Sequence, residues 1–104
     1  MESVLKGILE EELQRNMHKQ ELFSREFLKY PKGSLVVVKV HDDLYLYRKY
    51  RKGAKVISLY IGPLGSDNAN NAYSERAQYL KLKMDIKNLK REEIAIRKAL
   101  KIYG

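Results

Sequence analysis

The sequence predicts an α+β protein with the element order α-β-β-β-α. Three observations predict it. Apolar residues recur at helical spacing near both ends of the chain. Between them run alternating stretches of Val, Ile, Leu and Tyr, which is the pattern of strands. Pro31-Lys32-Gly33 and Gly62-Pro63-Leu64-Gly65-Ser66-Asp67-Asn68, both rich in helix breakers, separate the three regions. At 104 residues the chain is expected to form a single domain, residues 1–104. Its architecture is then a three-stranded antiparallel meander with two long helices forming an antiparallel helical hairpin.

The first helix is expected over about residues 2–29. Leu5, Leu9, Leu13, Met17, Phe23 and Phe27 return near helical spacing, and Asn16 and Gln20 interrupt the stripe. Pro31 biases Tyr30 away from helix and ends the element. The sheet is expected over residues 34–61, with strands at Ser34–Val40, Leu44–Arg51 and Ala54–Ile61. Asp42-Asp43 and Lys52-Gly53 supply the turns. Register then follows from the period of two.

That register places Val36, Val38, Val40, Tyr45, Tyr47, Lys49, Val56, Ser58 and Tyr60 on one face, with Tyr45 opposite Tyr60. Leu35, Val37, Lys39, Leu44, Leu46, Arg48, Tyr50, Lys55, Ile57 and Leu59 share the other. The first face carries no charge but Lys49 and is expected to pack on the helices. The second, apolar but studded with Lys39, Arg48 and Lys55, suits a protomer interface or a phosphate-bearing ligand.

The last helix is expected over about residues 71–103. Tyr79, Leu82, Ile86, Leu89, Glu93, Ile96, Leu100 and Tyr103 follow the 3-4 spacing of a coiled-coil seam. Glu93 is the one charge in it, either a register device or a residue at a solvated edge. A helix of this length reaches roughly 48 Å, against roughly 26 Å for an eight-residue strand. The helices should therefore project past the sheet and pack on each other or on a second copy.

The charge is uneven. The chain carries 21 Lys and Arg against 13 Asp and Glu, a formal net charge of +8. Residues 1–31 are net −1, residues 32–61 net +5 and residues 62–104 net +4. A basic sheet and a basic helix attract polyanions, and salt weakens that attraction. There is no cysteine, which excludes disulfides, thiolate metal sites and thiol nucleophiles. No stretch approaches the roughly 20 apolar residues of a membrane span, and the acidic N-terminal stretch is unlike a signal peptide. A cytoplasmic protein with no membrane association is expected.

Residues 44–62 carry the strongest functional signal. Tyr45, Tyr47, Tyr50 and Tyr60 interleave with Arg48, Lys49, Arg51, Lys52 and Lys55 around the second turn. Aromatic rings and cations on a β-hairpin are the ingredients of a surface that grips nucleic acid. Tyr50, between Lys49 and Arg51 at the hairpin end, is the best stacking candidate, whereas Tyr45, Tyr47 and Tyr60 are expected to be mostly core.

The last helix adds a basic stripe. Arg76, Lys83, Lys90 and Arg97 recur every seven residues, with Lys87 and Lys101 beside them. Two fates are open to it. Glu10, Glu11 and Glu12 of an antiparallel first helix neutralise Lys87, Lys90 and Arg91, leaving Arg76, Lys81 and Lys83 free, or the whole stripe tracks a phosphate backbone.

Enzyme chemistry finds little footing. His18 and His41 lack a ligand set at metal spacing, and Asp42-Asp43 reads first as turn chemistry. Nothing in the spacing joins these aspartates to Glu75 or Glu93 as a metal-dependent nuclease requires. Gly62-Pro63-Leu64-Gly65-Ser66 lacks the Gly-Lys-Ser/Thr ending of a phosphate loop and reads as a strand-to-helix connector. No catalytic residue, metal or cofactor is expected.

Lys32-Gly33-Ser34-Leu35, the run from Tyr45 to Gly62 and the basic helix after it resemble a family of small basic bacterial and phage proteins. The resemblance covers most of the chain and implies its fold and setting. More loosely, Arg48 to Tyr60 is similar to the amino-terminal arm-binding domain of tyrosine recombinases, which implies a three-stranded sheet entering a DNA groove. The expected function is non-enzymatic binding of DNA or RNA through Arg48, Lys49, Tyr50, Arg51, Lys52 and Lys55, assisted by Lys81 and Lys83. One alternative is a phage or mobile-element protein that blocks a host nucleoprotein or defence enzyme, as an anti-CRISPR protein does. The other is a structural homodimer.

Overall fold

A computed structural model describes residues 2–103, with side chains from residue 4 onward. The order is α1 (Glu2–Phe27), β1 (Ser34–Val40), β2 (Asp43–Lys52), β3 (Lys55–Pro63) and α2 (Asp67–Tyr103). The three strands form one antiparallel sheet in the order β1-β2-β3. The α-β-β-β-α architecture is therefore the one the sequence implies. The chain divides into two compact units: Met1–Lys29 with Lys81–Gly104, and Tyr30–Leu80.

In the helical unit, α1 packs antiparallel on the second part of α2. Leu89 is buried, and Leu82, Ile86, Ile96 and Leu100 are half-buried along the same stripe. The two residues that interrupt the α1 stripe face this seam. Asn16 is buried, and its Nδ2 donates to the Leu89 carbonyl at 2.9 Å. Gln20 Nε2 donates to Asn16 Oδ1 at 2.7 Å and to Glu93 Oε1 at 2.8 Å. Arg97 Nε donates to Glu93 Oε2 at 2.7 Å. These bonds hold the Glu93 carboxyl below the usual carboxylate range, the Gln20 bond first and the Arg97 bond and charge after it. Glu93 thus joins a directional polar network with Gln20 of the facing helix, which a slip of either helix would break.

The acidic run of α1 does not reach the basic stripe. Asn16 stands level with Leu89, so an antiparallel helix places Glu12 about one turn further along α2. Glu12 pairs with Arg15 of its own helix at 2.9 Å. Among the described residues, no ion pair joins Glu10, Glu11 or Glu12 to Lys87, Lys90 or Arg91.

In the sheet unit, both turns fall one residue from their expected places. His41-Asp42 joins β1 to β2, with His41 at φ 57°, and Gly53-Ala54 joins β2 to β3, with Gly53 at φ 63°. Each pairing therefore shifts by two residues, which preserves the faces but changes the partners. Tyr47, rather than Tyr45, lies opposite Tyr60. An irregularity between Leu46 and Tyr47 lets Ile61 and Gly62 share the side that meets Leu46.

The expected roles of the two faces are exchanged. The face of Leu35, Leu46 and Arg48 meets the first turns of α2, where Leu46, Ala69 and Ala72 form the buried core and Leu35 and Ile61 pack against it. Small side chains at Ala69 and Ala72, three residues apart, let the helix approach the sheet closely. That helix starts at Asp67, four residues earlier than expected. Ser66 caps it, its hydroxyl accepting from Ala69 N–H at 3.3 Å and its carbonyl from Asn70 N–H at 2.9 Å.

Gly33 closes the unit. Its φ is 107°, and a Cβ there would run into the Lys49 carbonyl oxygen and lie 3.0 Å from Tyr50 Cβ. Its own carbonyl accepts from Arg76 Nη1 at 2.7 Å.

Candidate nucleic-acid interface

The exchange of faces decides which aromatic rings meet solvent. Val36, Tyr47 and Tyr60 are cross-strand neighbours, as are Val38 and Tyr45. Strand alternation carries Lys49 and Arg51 to the same face. The rings of Tyr47 and Tyr60 meet edge to face, 5.4 Å between centroids at 63°, and Tyr45 lies 6.1 Å from Tyr60. Tyr60 is 56% exposed and Val56 62%, while Tyr45 and Tyr47 are half-buried. No element of the sheet unit covers this face. It presents a three-tyrosine cluster with Lys49 and Arg51 further along the same strand, and the exposed Lys52 and Lys55 at the adjoining turn.

The hairpin residues picked out by sequence separate accordingly. Lys49 and Arg51 flank the tyrosine cluster. Lys52 and Lys55 are exposed at the turn, directly paired across it. Tyr50 points to the opposite side, half-buried with its Cβ beside Gly33, and so lies apart from the three-tyrosine cluster. Arg48 is not a solvated hairpin cation at all. It is 8% exposed on the core face, and its Nη2 lies 3.7 Å from Glu75 Oε2 of α2. Central position in the middle strand, opposite Leu35 and Leu59, puts it beneath the helix.

Lys81 and Lys83 are exposed and belong to the helical unit. Arg76, expected to be free, is engaged by the Gly33 carbonyl and stands 4.8 Å from the centre of the Tyr79 ring. Arg97 is engaged by Glu93. What remains of the basic stripe borders a groove of about 530 Å³ in the helical unit. Phe27, Ile86 and Ile94 line its apolar part, and Lys83, Lys87, Lys90 and Arg91 its cationic part.

Sequence reasoning missed the exposure of Tyr60 because it assigned the faces by charge. The signal that finds it is the pair Ala69 and Ala72, which marks where a helix can lie flat on a sheet. The segment Gly62–Ser66 turns through a Ser66 N–H to Pro63 carbonyl bond of 3.1 Å, and Ser66 already occupies one helix N–H that an anion would use. Among the described residues, no three His, Cys, Asp or Glu side chains cluster as metal ligands, and no helix is long and apolar enough to cross a membrane. No family model, curated protein or solved structure matches the chain.

Proposed function

We infer that the protein binds single-stranded nucleic acid on the open face of its sheet. The observation that carries this reading is the cluster of exposed Tyr60 with half-buried Tyr45 and Tyr47, and Lys49 and Arg51 on the same face. Bases stack on aromatic faces with little regard to sequence, each stack contributing about 1–3 kcal/mol, and cations alongside hold the phosphates. A protein interior would hide such rings, and a duplex would keep its bases from them. Lys52 and Lys55 extend the cationic margin to the turn.

Fluorescence anisotropy with a labelled mixed-sequence oligonucleotide tests the proposal. Four phosphate contacts give a log–log salt slope of about −3, so affinity should fall about 50-fold between 50 and 200 mM salt. Tyr60→Ala should weaken binding about ten-fold, from the stacking term. Lys49→Glu/Arg51→Glu should abolish it. No binding at 50 mM salt, or binding indifferent to the double substitution, overturns the reading.

A second reading rests on the helical unit. An apolar groove bordered by Lys83, Lys87, Lys90 and Arg91 is complementary to an acidic protein surface. In a phage setting such a surface belongs to a host nucleoprotein or defence enzyme. A partner retained from host lysate after nuclease treatment, and lost with Lys87→Glu/Lys90→Glu, supports that reading.

A further inference from the structure

Arg48 is buried on the core face, yet its nitrogens open to a cleft. A guanidinium carries five N–H donors, and buried donors are ordinarily satisfied. The Arg48 side chain is 10% exposed, yet its nearest carboxylate oxygen, on Glu75, stands at 3.7 Å, beyond hydrogen-bonding distance. No other described residue accepts a hydrogen bond from it. No fully enclosed side-chain nitrogen of the described residues lacks a partner, so the Arg48 nitrogens reach open space. That space is a cleft of about 300 Å³ lined by Arg48, Ile61, Asn68, Asn71, Ala72 and Glu75.

The lining specifies the ligand. Ile61 and Ala72 supply a small apolar margin, since both pack into the core. The guanidinium seeks two adjacent acceptors, and the Glu75 carboxylate seeks two adjacent donors. Their charges cancel, so a free phosphate or carboxylate gains from Arg48 what it loses to Glu75. A neutral ligand with an acceptor pair next to a donor pair satisfies both. Guanine has that arrangement: O6 and N7 accept, and N1–H and the N2 amino group donate. Adenine and cytosine lack one pair or the other. Asn68 and Asn71 hold carboxamides able to donate or accept at the remaining edge. The volume sits at the low end of the roughly 300–1,000 Å³ typical of small-molecule pockets, suited to one base.

We propose that the Arg48–Glu75 cleft is a guanine-binding site, taking a single unstacked guanine. As a biological assignment this rests on the nucleic-acid reading of the open face, and it adds a base preference that stacking alone does not supply. Arg48 donates to O6 and N7, and Glu75 accepts from N1–H and N2–H.

The test is an NMR titration of the full chain with guanosine 5′-monophosphate, against the adenosine and cytidine monophosphates. Guanosine monophosphate should shift the Arg48 side-chain N–H and the Asn68 and Asn71 carboxamide signals, about ten-fold or more tighter than the others, given 1–3 kcal/mol of discrimination per bidentate pair. Glu75→Gln, at a half-exposed position that leaves Arg48 an amide oxygen, should keep the folded spectrum and lose the preference. Equal affinity for the three nucleotides, unmoved cleft signals, or a preference that survives Glu75→Gln overturns the proposal. Lys49→Glu/Arg51→Glu separates the two ideas. It should leave the mononucleotide titration unchanged while removing oligonucleotide binding. Failure of the open-face reading would appear in the oligonucleotide assay alone.

Discussion

Replacing Asn16 by alanine should destabilise the helical unit by about 2 kcal/mol, and the structure says where that comes from. Asn16 is 4% exposed and makes two good bonds, to the Leu89 carbonyl at 2.9 Å and from Gln20 at 2.7 Å. A buried hydrogen bond contributes about 0.5–1.5 kcal/mol net. The Leu89 carbonyl keeps its own helical partner, and Gln20 keeps Glu93, so neither is left bare. The two losses together with the removed packing therefore sum to about 2 kcal/mol rather than the larger cost of an orphaned buried group. In urea at pH 7, with a slope of about 1–3 kcal/mol per molar, the midpoint should drop by about 1 M. His18→Ala, two residues away and exposed, should stay within about 0.5 kcal/mol of the parent. An Asn16→Ala loss no greater than that of His18→Ala would refute the claim that a polar network, and not the flanking leucines, fixes how these helices pair.

Two further stability measurements follow. Gly33→Ala should lose at least about 1–3 kcal/mol from its φ alone, with the clash at Lys49 added, whereas Gly7→Ala, in open space on α1, should gain about 0.5–1 kcal/mol; urea midpoints showing the two substitutions alike would contradict the geometry. Glu93 has a depressed folded-state pKa, so its stabilisation is complete above the ordinary glutamate value of about 4.3 and is lost as pH falls through the lower folded value. Wild type should therefore exceed Glu93→Gln in urea midpoint at pH 7, and the gap should close in strong acid; a gap independent of pH would sink the assignment.

The elements were legible in the sequence because their periods are. The seam of α2 and the strands of the meander stand out wherever apolar spacing is regular, and β1 falls where the alternation puts it. The turns were less legible. Asp42-Asp43 and Lys52-Gly53 carry good turn chemistry, but His41 takes a positive φ and Gly53 serves at either central position, and hairpin register depends on one residue at each end. A shift of two residues leaves side chains on their faces and changes only who faces whom, so the face sets survived while the Tyr45–Tyr60 pair became Tyr47–Tyr60. Of the candidate residues, Lys49, Arg51, Lys52 and Lys55 are exposed, as a solvated hairpin end requires. Arg48, expected to be solvated, is buried, because a charge in a strand does not by itself mark solvent, and Tyr50 is half-buried on the same face.

That error carries the main lesson about how this unit works. Both faces of the sheet are mixed, so hydrophobicity does not choose between them, and the choice falls to shape. Leucine and isoleucine side chains make a surface that a helix with Ala69 and Ala72 can approach. Three tyrosines do not, since their rings stand too tall for such contact. Tyrosine is also the aromatic residue that tolerates the outside, because its hydroxyl stays hydrated while the ring stays available. Covering the Arg48 face thus leaves the tyrosine face open as a consequence of packing geometry. It also traps a charged group beneath a helix, where Glu75 offsets its charge without meeting its hydrogen bonds. One choice of face therefore leaves a tyrosine cluster on one side of the middle strand and, on the other, a cleft into which the Arg48 nitrogens open.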